Sequence, residues 1–199
     1  MKITNLWSSG TEYSSNVFLV TGSWNTLTDV NTLVDVGRDP AIIPILLEAS
    51  TGVGKKRVEQ VILTHSHYDH ASLLPVIVEL FDPVVYAASH ALEGVDIVLS
   101  GGEKLKLGDR EFEVIRAPGH SSDSICLFCE EDGVLFAGDS PLQIRSPEGT
   151  YEPAFVFALE TIGEKNISSI YFGHGPPLLE RCNETLRITR DNVRMSQKR

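Results

Sequence analysis

Short apolar runs, broken every few residues by glycine, proline or polar side chains, fill the first half of the chain and predict a β-meander. Ile3 to Trp7, Asn16 to Thr21 and Thr32 to Val36 are rich in apolar and β-branched residues over strand length. Ser8 to Thr11 reads as the first turn, and Gly22 to Asn31 as a polar loop carrying Trp24. Pro40 opens a helix predicted over Ala41 to Ala49, with Pro44 in its first turn. Val58 to Thr64 is the next strand, followed by an apolar helix that begins near Asp69 and runs to Phe81, then a strand from Val84 to Ala88. Two hairpins follow: Glu103 to Leu107 with Glu111 to Arg116, and Ile125 to Cys129 with Val134 to Ala137. A helix over Tyr151 to Ile162, a strand over Ile167 to Phe172 and a closing helix over Pro177 to Arg194 complete one predicted α/β domain spanning residues 1–199.

Composition narrows the function classes. Hydrophobic residues make up 42% and charged residues 22%, as in ordinary globular proteins. Acidic residues outnumber basic ones 27 to 17, for a formal net charge of −10, which argues against a nucleic-acid or anionic-membrane partner. No apolar run is long enough to span a bilayer and the start lacks a signal-peptide core, so a cytoplasmic protein is expected. Cys126 and Cys129 form a C-x-x-C inside a predicted strand, where positions three apart face opposite ways. With Cys182 they are expected to be reduced packing thiols.

One stretch breaks the pattern. Thr64-His65-Ser66-His67-Tyr68-Asp69-His70 places three histidines and an aspartate in six positions directly after an apolar strand. Neither a strand nor a helix aims four such neighbours at one point, so a loop leaving the strand is expected to converge them. Imidazole nitrogens and carboxylate oxygens are donors for zinc and related divalent ions. His120, Asp139 and His174 lie beside glycines, each directly after a predicted strand. Seven donors exceed one tetrahedral zinc, and a carboxylate with two oxygens can serve two ions, so two metals are the economical expectation. His90 has no partner pattern and reads as a surface residue.

His65-x-His67-x-Asp69-His70, followed by His120, Asp139 and His174, resembles the metallo-β-lactamase superfamily over nearly the whole chain. The resemblance implies an αββα sandwich of two mixed sheets, with His65, His67 and His120 on one metal and Asp69, His70 and His174 on the other. Asp139 would bridge them. Asp35, in an Asp-x-Gly after the third predicted strand, would either steady a ligand histidine or cap the following turn.

The Pro-Gly-His and Gly-His-Gly-Pro loops resemble the glyoxalase II-like hydrolases. Asp123 departs from a glycine of that pattern, and Phe172 from a proline. Glyoxalase II enzymes also add a helical domain that holds glutathione, for which this chain offers little beyond one terminal helix.

The expected activity is hydrolysis of a small thioester, ester or lactone by a hydroxide bridging two zinc ions, with Asp69 orienting the nucleophile. Trp24, Arg145 and Tyr151 are candidate substrate contacts; each also has a plain reading, as hairpin packing, solvated charge and helix start. The alternatives are a single-iron persulfide dioxygenase using His65, His120 and Asp139, iron or mixed iron and zinc at the centre, or a non-catalytic metal-binding module. Oligomeric state is open.

Overall fold

The computed structural model describes residues 1–6 and 13–198. Trp7 and the turn predicted at Ser8 to Thr11 fall outside the described residues. In chain order the elements are β1 (Lys2–Asn5), β2 (Phe18–Thr21), β3 (Thr32–Val34), α1 (Ile42–Glu48), β4 (Gln60–Ile62), α2 (Tyr68–Ala71), α3 (Leu74–Phe81), β5 (Val84–Ala87) and β6 (Ile97–Val98). They continue with β7 (Lys104–Leu107), β8 (Arg110–Arg116), β9 (Ile125–Cys129), β10 (Val134–Gly138), α4 (Pro153–Gly163), β11 (Ser169–Phe172) and α5 (Cys182–Ser196).

Two sheets form. The first has the order β1-β2-β3-β4-β5-β6, the second β11-β10-β9-β8-β7. In the first, β3, β4 and β5 run parallel, so their C-terminal ends share one edge. In the second, β8 and β10 both pair antiparallel with β9, and β10 runs parallel with β11. The C-terminal ends of β8, β10 and β11 therefore also share an edge. A backbone bond from Ile125 N to Thr64 O, 2.9 Å, joins the two edges. The segments carrying His65 to His70, His120, Asp139 and His174 leave from this seam.

Alternation along the strands sorts the core into layers. Phe18, Val34, Ile62, Phe112, Leu127 and Phe136 pack between the sheets. Val61 and Leu63 turn outward to meet Ile42, Leu46 and Ile77 of α1 and α3. Leu135 and Ala137 turn outward to meet Phe155, Leu159 and Leu186 of α4 and α5. Central strands covered on both faces explain why β9 and β10 read as unbroken apolar runs. Within β9, Cys126 faces the outer helices and Cys129 the inter-sheet layer, so the C-x-x-C is split between two cores. All three cysteines are buried and free, and burial pushes the Cys126 thiol up to about 11.

Three local expectations need correction. Asp69 and His70 ride on a helical turn, α2, closed by Ala71 N to His67 O and Ser72 N to Tyr68 O, rather than on a loop. β6 was not predicted; two residues carry too little pattern to read. The closing helix starts at Cys182, not Pro177, because Leu178 pairs back onto Ile170 of β11. No helix of the described residues is long and apolar enough to cross a membrane.

Candidate metal centre

Strand direction gathers the polar residues. Asp35 follows β3, His65 and His67 follow β4, and Asp69 and His70 sit on α2. His120, Asp139 and His174 follow β8, β10 and β11. Two groups of donor atoms result, each within 4.8 Å of one another: His65, His67 and His120, and Asp69, His70, Asp139 and His174. In the first, His120 Nε2 lies 2.9 Å from His67 Nδ1. In the second, His174 Nε2 lies 3.0 Å from Asp69 Oδ2. Asp139 stands between the groups: its Oδ2 is 3.4 Å from His120 Nε2 and 3.5 Å from His174 Nε2, and its Oδ1 is 3.3 Å from His70 Nε2.

Close approach depends on glycine. A Cβ on Gly173 would come within 2.2 Å of Asp139 Oδ1 and 2.5 Å of His70 Cε1. Gly138, at φ +50°, brings Asp139 over Thr64, and a Cβ there would meet Thr64 Oγ1 at 2.7 Å.

Asp35 is buried and holds a left-handed backbone at φ +59°, which an aspartate tolerates better than most side chains. Its Oδ1 accepts the Thr64 N–H at 2.8 Å, and its Oδ2 pairs with His70 Nδ1 at 2.8 Å. Asp35 thus fixes a histidine ring and ties the end of β4, while the turn that follows it is held by the His70 carbonyl and Ser14 Oγ. His70 Nε2 is left to face the Asp69 and Asp139 carboxylates.

The electrostatics favour a cation. Burial lowers the His65 pKa to about 4, with neighbouring His70 adding to the effect, so its imidazole is a neutral donor. Burial also disfavours charge on His70, but Asp35 and Asp139 overcome it and raise its pKa to about 10. Asp139 is held down to about 2: burial opposes this, and His70 and His174 outweigh it. Asp35 and Asp139 thus favour positive charge at His70. His65 Nε2 and His70 Nε2 are both buried without a hydrogen-bond partner. Orphaned buried donors of this kind are costly unless a ligand satisfies them, and a nitrogen and oxygen set fits a divalent cation.

A cavity of about 450 Å³ opens beside Asp139, His120 and His174, walled by Pro141, Leu142, Ile144, Phe172 and Pro176. A second, of about 260 Å³, shares Gln143 and Ile144 with it and is lined by Arg145, Leu178 and Ile188. Arg145 therefore stands one cavity away from the donors. Tyr151 donates its hydroxyl proton to the Glu148 carbonyl at 2.9 Å and packs on Phe155, outside the first cavity's wall. Trp24 is 87% exposed on the β2–β3 connection. Because β2 and β3 are antiparallel, that connection lies at the opposite end of the sheet from the donors. His90 is exposed and joins neither group.

Sequence reasoning missed Tyr13. Its ring stacks on His174, centroids 5.1 Å apart and planes 17° apart, with its hydroxyl 3.4 Å from Nε2. No local pattern marks it, since the contact spans most of the chain.

Two sheets between helices, with histidine and aspartate side chains gathered where parallel-running strands end, define an αββα fold with a candidate metal centre. The chain belongs to the metallo-beta-lactamase superfamily, whose sequence profile matches residues 10–94 and 91–174. It is 32% identical over 187 residues to the cytoplasmic isozyme of hydroxyacylglutathione hydrolase from Saccharomyces cerevisiae, covering 83% of this chain and 62% of that one. It is 25% identical over 144 residues to an atrochrysone carboxyl ACP thioesterase from Cryptosporiopsis sp., covering 72% and 45%. The chain thus spans about half the length of these curated relatives. Among solved structures, ETHE1 from Myxococcus xanthus superposes with a TM-score of 0.68 at 19% identity, covering 99% of this chain and 90% of that one. A likeness at that identity shows the fold.

Proposed function

We propose that the chain is a dinuclear metal hydrolase, with zinc the expected cation, that cleaves a small thioester, ester or lactone. The observation that carries this reading is the pair of donor groups with Asp139 between them, beside a cavity of substrate size. His65, His67 and His120 would hold one cation, Asp69, His70 and His174 the other, and Asp139 both. Cations so held supply Lewis acidity, which lowers the pKa of water and draws charge from a carbonyl.

The chain's own residues do the rest. Asp35 fixes the His70 ring through Nδ1, leaving Nε2 as its donor atom. Asp69 orients the attacking water. The apolar wall of Leu142, Ile144 and Phe172 excludes bulk water, and Arg145 in the adjoining cavity meets the far end of the leaving group. Water's oxygen bonds to the acyl carbon, the carbon–sulfur or carbon–oxygen bond breaks, and the thiol or alcohol leaves with a proton. A hydroxyacylglutathione hydrolase and an ACP thioesterase among the relatives favour thioesters. The acidic balance favours a small substrate over a nucleic acid. All 199 residues are taken to act as one cytoplasmic domain.

The test is metal content per chain, followed by a screen of glutathione thioesters, other acyl thioesters, esters and lactones. Near two zinc ions and turnover of a thioester are expected. Replacing Asp139 with Asn should lower kcat by about 100-fold or more and reduce metal occupancy, because one shared ligand and its charge are lost. Full activity in that variant would overturn the assignment, and one iron per chain with oxygen consumption would replace it with dioxygenase chemistry.

A further inference from the structure

We propose that Tyr13 is a catalytic residue of this site, its phenol donating a hydrogen bond to the substrate's carbonyl oxygen as negative charge builds there. The proposal rests on the hydrolase reading above.

Placement is the first argument. Tyr13 is 61% exposed, yet the three residues after it are tied to the donor-bearing loops. The Ser15 N–H donates to the Asp69 carbonyl at 3.0 Å, and the Asn16 N–H to the Gly173 carbonyl at 2.7 Å. The Asn16 side-chain amide reaches both the Phe172 and the Gly175 carbonyls at 2.9 Å. Ser14 Oγ accepts the Arg38 N–H at 2.9 Å, just beyond β3 and the Asp35 turn. The backbone at Tyr13 is thereby registered against α2 and the His174 loop together. An exposed aromatic on a free loop would have no such fixed aim.

The hydroxyl's surroundings are the second argument. It lies 3.4 Å from His174 Nε2, the atom that belongs to the second donor group. A cation bound by that nitrogen uses its lone pair, so the phenol needs another acceptor at the same place. A carbonyl presented to the donor groups brings one. The ring's stack on His174 holds this aim without any bond to Tyr13 forming or breaking.

Tyr13→Phe keeps the stack and removes only the hydroxyl. The expected result is a fall in kcat of about 10- to 100-fold with KM within about threefold, as for loss of one oxyanion donor. Metal content should be unchanged. On the same zinc-loaded proteins, affinity for lactate, a small carboxylate, should weaken by about tenfold in calorimetry, as for loss of a hydrogen bond to a charged group. Equal lactate binding in the two proteins, or none in either, overturns the proposal. So does a kcat loss matched by loss of metal, which would make Tyr13 a support for His174 alone. If the wild type hydrolyses nothing in the screen, the hydrolase reading fails, while the lactate comparison still decides Tyr13.

Discussion

His70 is the residue on which the centre turns. One ring nitrogen is committed to Asp35 and the other faces two carboxylates, so the side chain holds its proton up to a pKa of about 10 when no metal is present. A cation held as proposed would take Nε2, and the Nε2 proton would have to go. Titrating zinc into metal-free protein at pH 7 should therefore release close to one proton per chain from His70, measured with a pH-indicator dye in weak buffer. The sign follows from the raised pKa: the group is protonated below about 10, and the release should vanish once pH exceeds that value. His65, already neutral down to about 4, should contribute none at pH 7. At this scale the candidate donors stood out in the sequence because four crowd into residues 65–70 and three sit beside glycines at strand ends, and histidine and aspartate are chemically distinct. Tyr13 could not, because its role depends on backbone bonds from Ser15 and Asn16 to loops more than fifty residues away.

At the scale of elements, α4 does more than cover the second sheet. Phe155 fills the space under Gly119, where a Cβ would meet its ring at 2.9 Å, and so braces the turn that presents His120. Phe155→Ala should cost about 3–5 kcal/mol in chemical denaturation, by lost burial and a residual cavity. It should also loosen the His120 loop and weaken metal affinity, measured by competition with a chelating dye. A stability loss with metal affinity unchanged would separate the helix from the centre.

The α5 arginines split by direction. Arg194 makes two 2.6 Å bonds to Glu160 of α4, whereas among the described residues Arg187 pairs within its own helix, with Asp191. Exposed pairs of this kind contribute about 0–1 kcal/mol, so α5 is held by Leu186 and Val193 in the core rather than by its charges. Strand and hairpin positions were legible because their apolar runs match strand length. The start of α5 was not, since Pro177 suits a first helical turn as well as it suits the extended segment that pairs at Leu178.

For the molecule as a whole, the apolar pattern predicted one α/β domain, and the layer order came only through the resemblance carried by the histidine and aspartate motifs. The seam between the sheets was not legible, because nothing local tells Thr64 that its carbonyl meets Ile125. That seam has a mechanical consequence. Four donors come from residues 65–70 of the first sheet's side and three from positions 120, 139 and 174 of the second. A cation shared by His67 and His120 closes a ring of chain on the order of 50 residues, which in the loop-entropy account is comparable to a disulfide contributing on the order of 4 kcal/mol. The centre would then act as a removable cross-link between two halves of the fold. Chelation should speed hydrogen exchange at Thr64 and Ile125 while leaving the amides of β3 and β4 protected, as mass spectrometry of the exchanged protein would show. If the proposed hydrolysis holds, the protein's most ordered state and its most active state would be one and the same, set by the supply of metal.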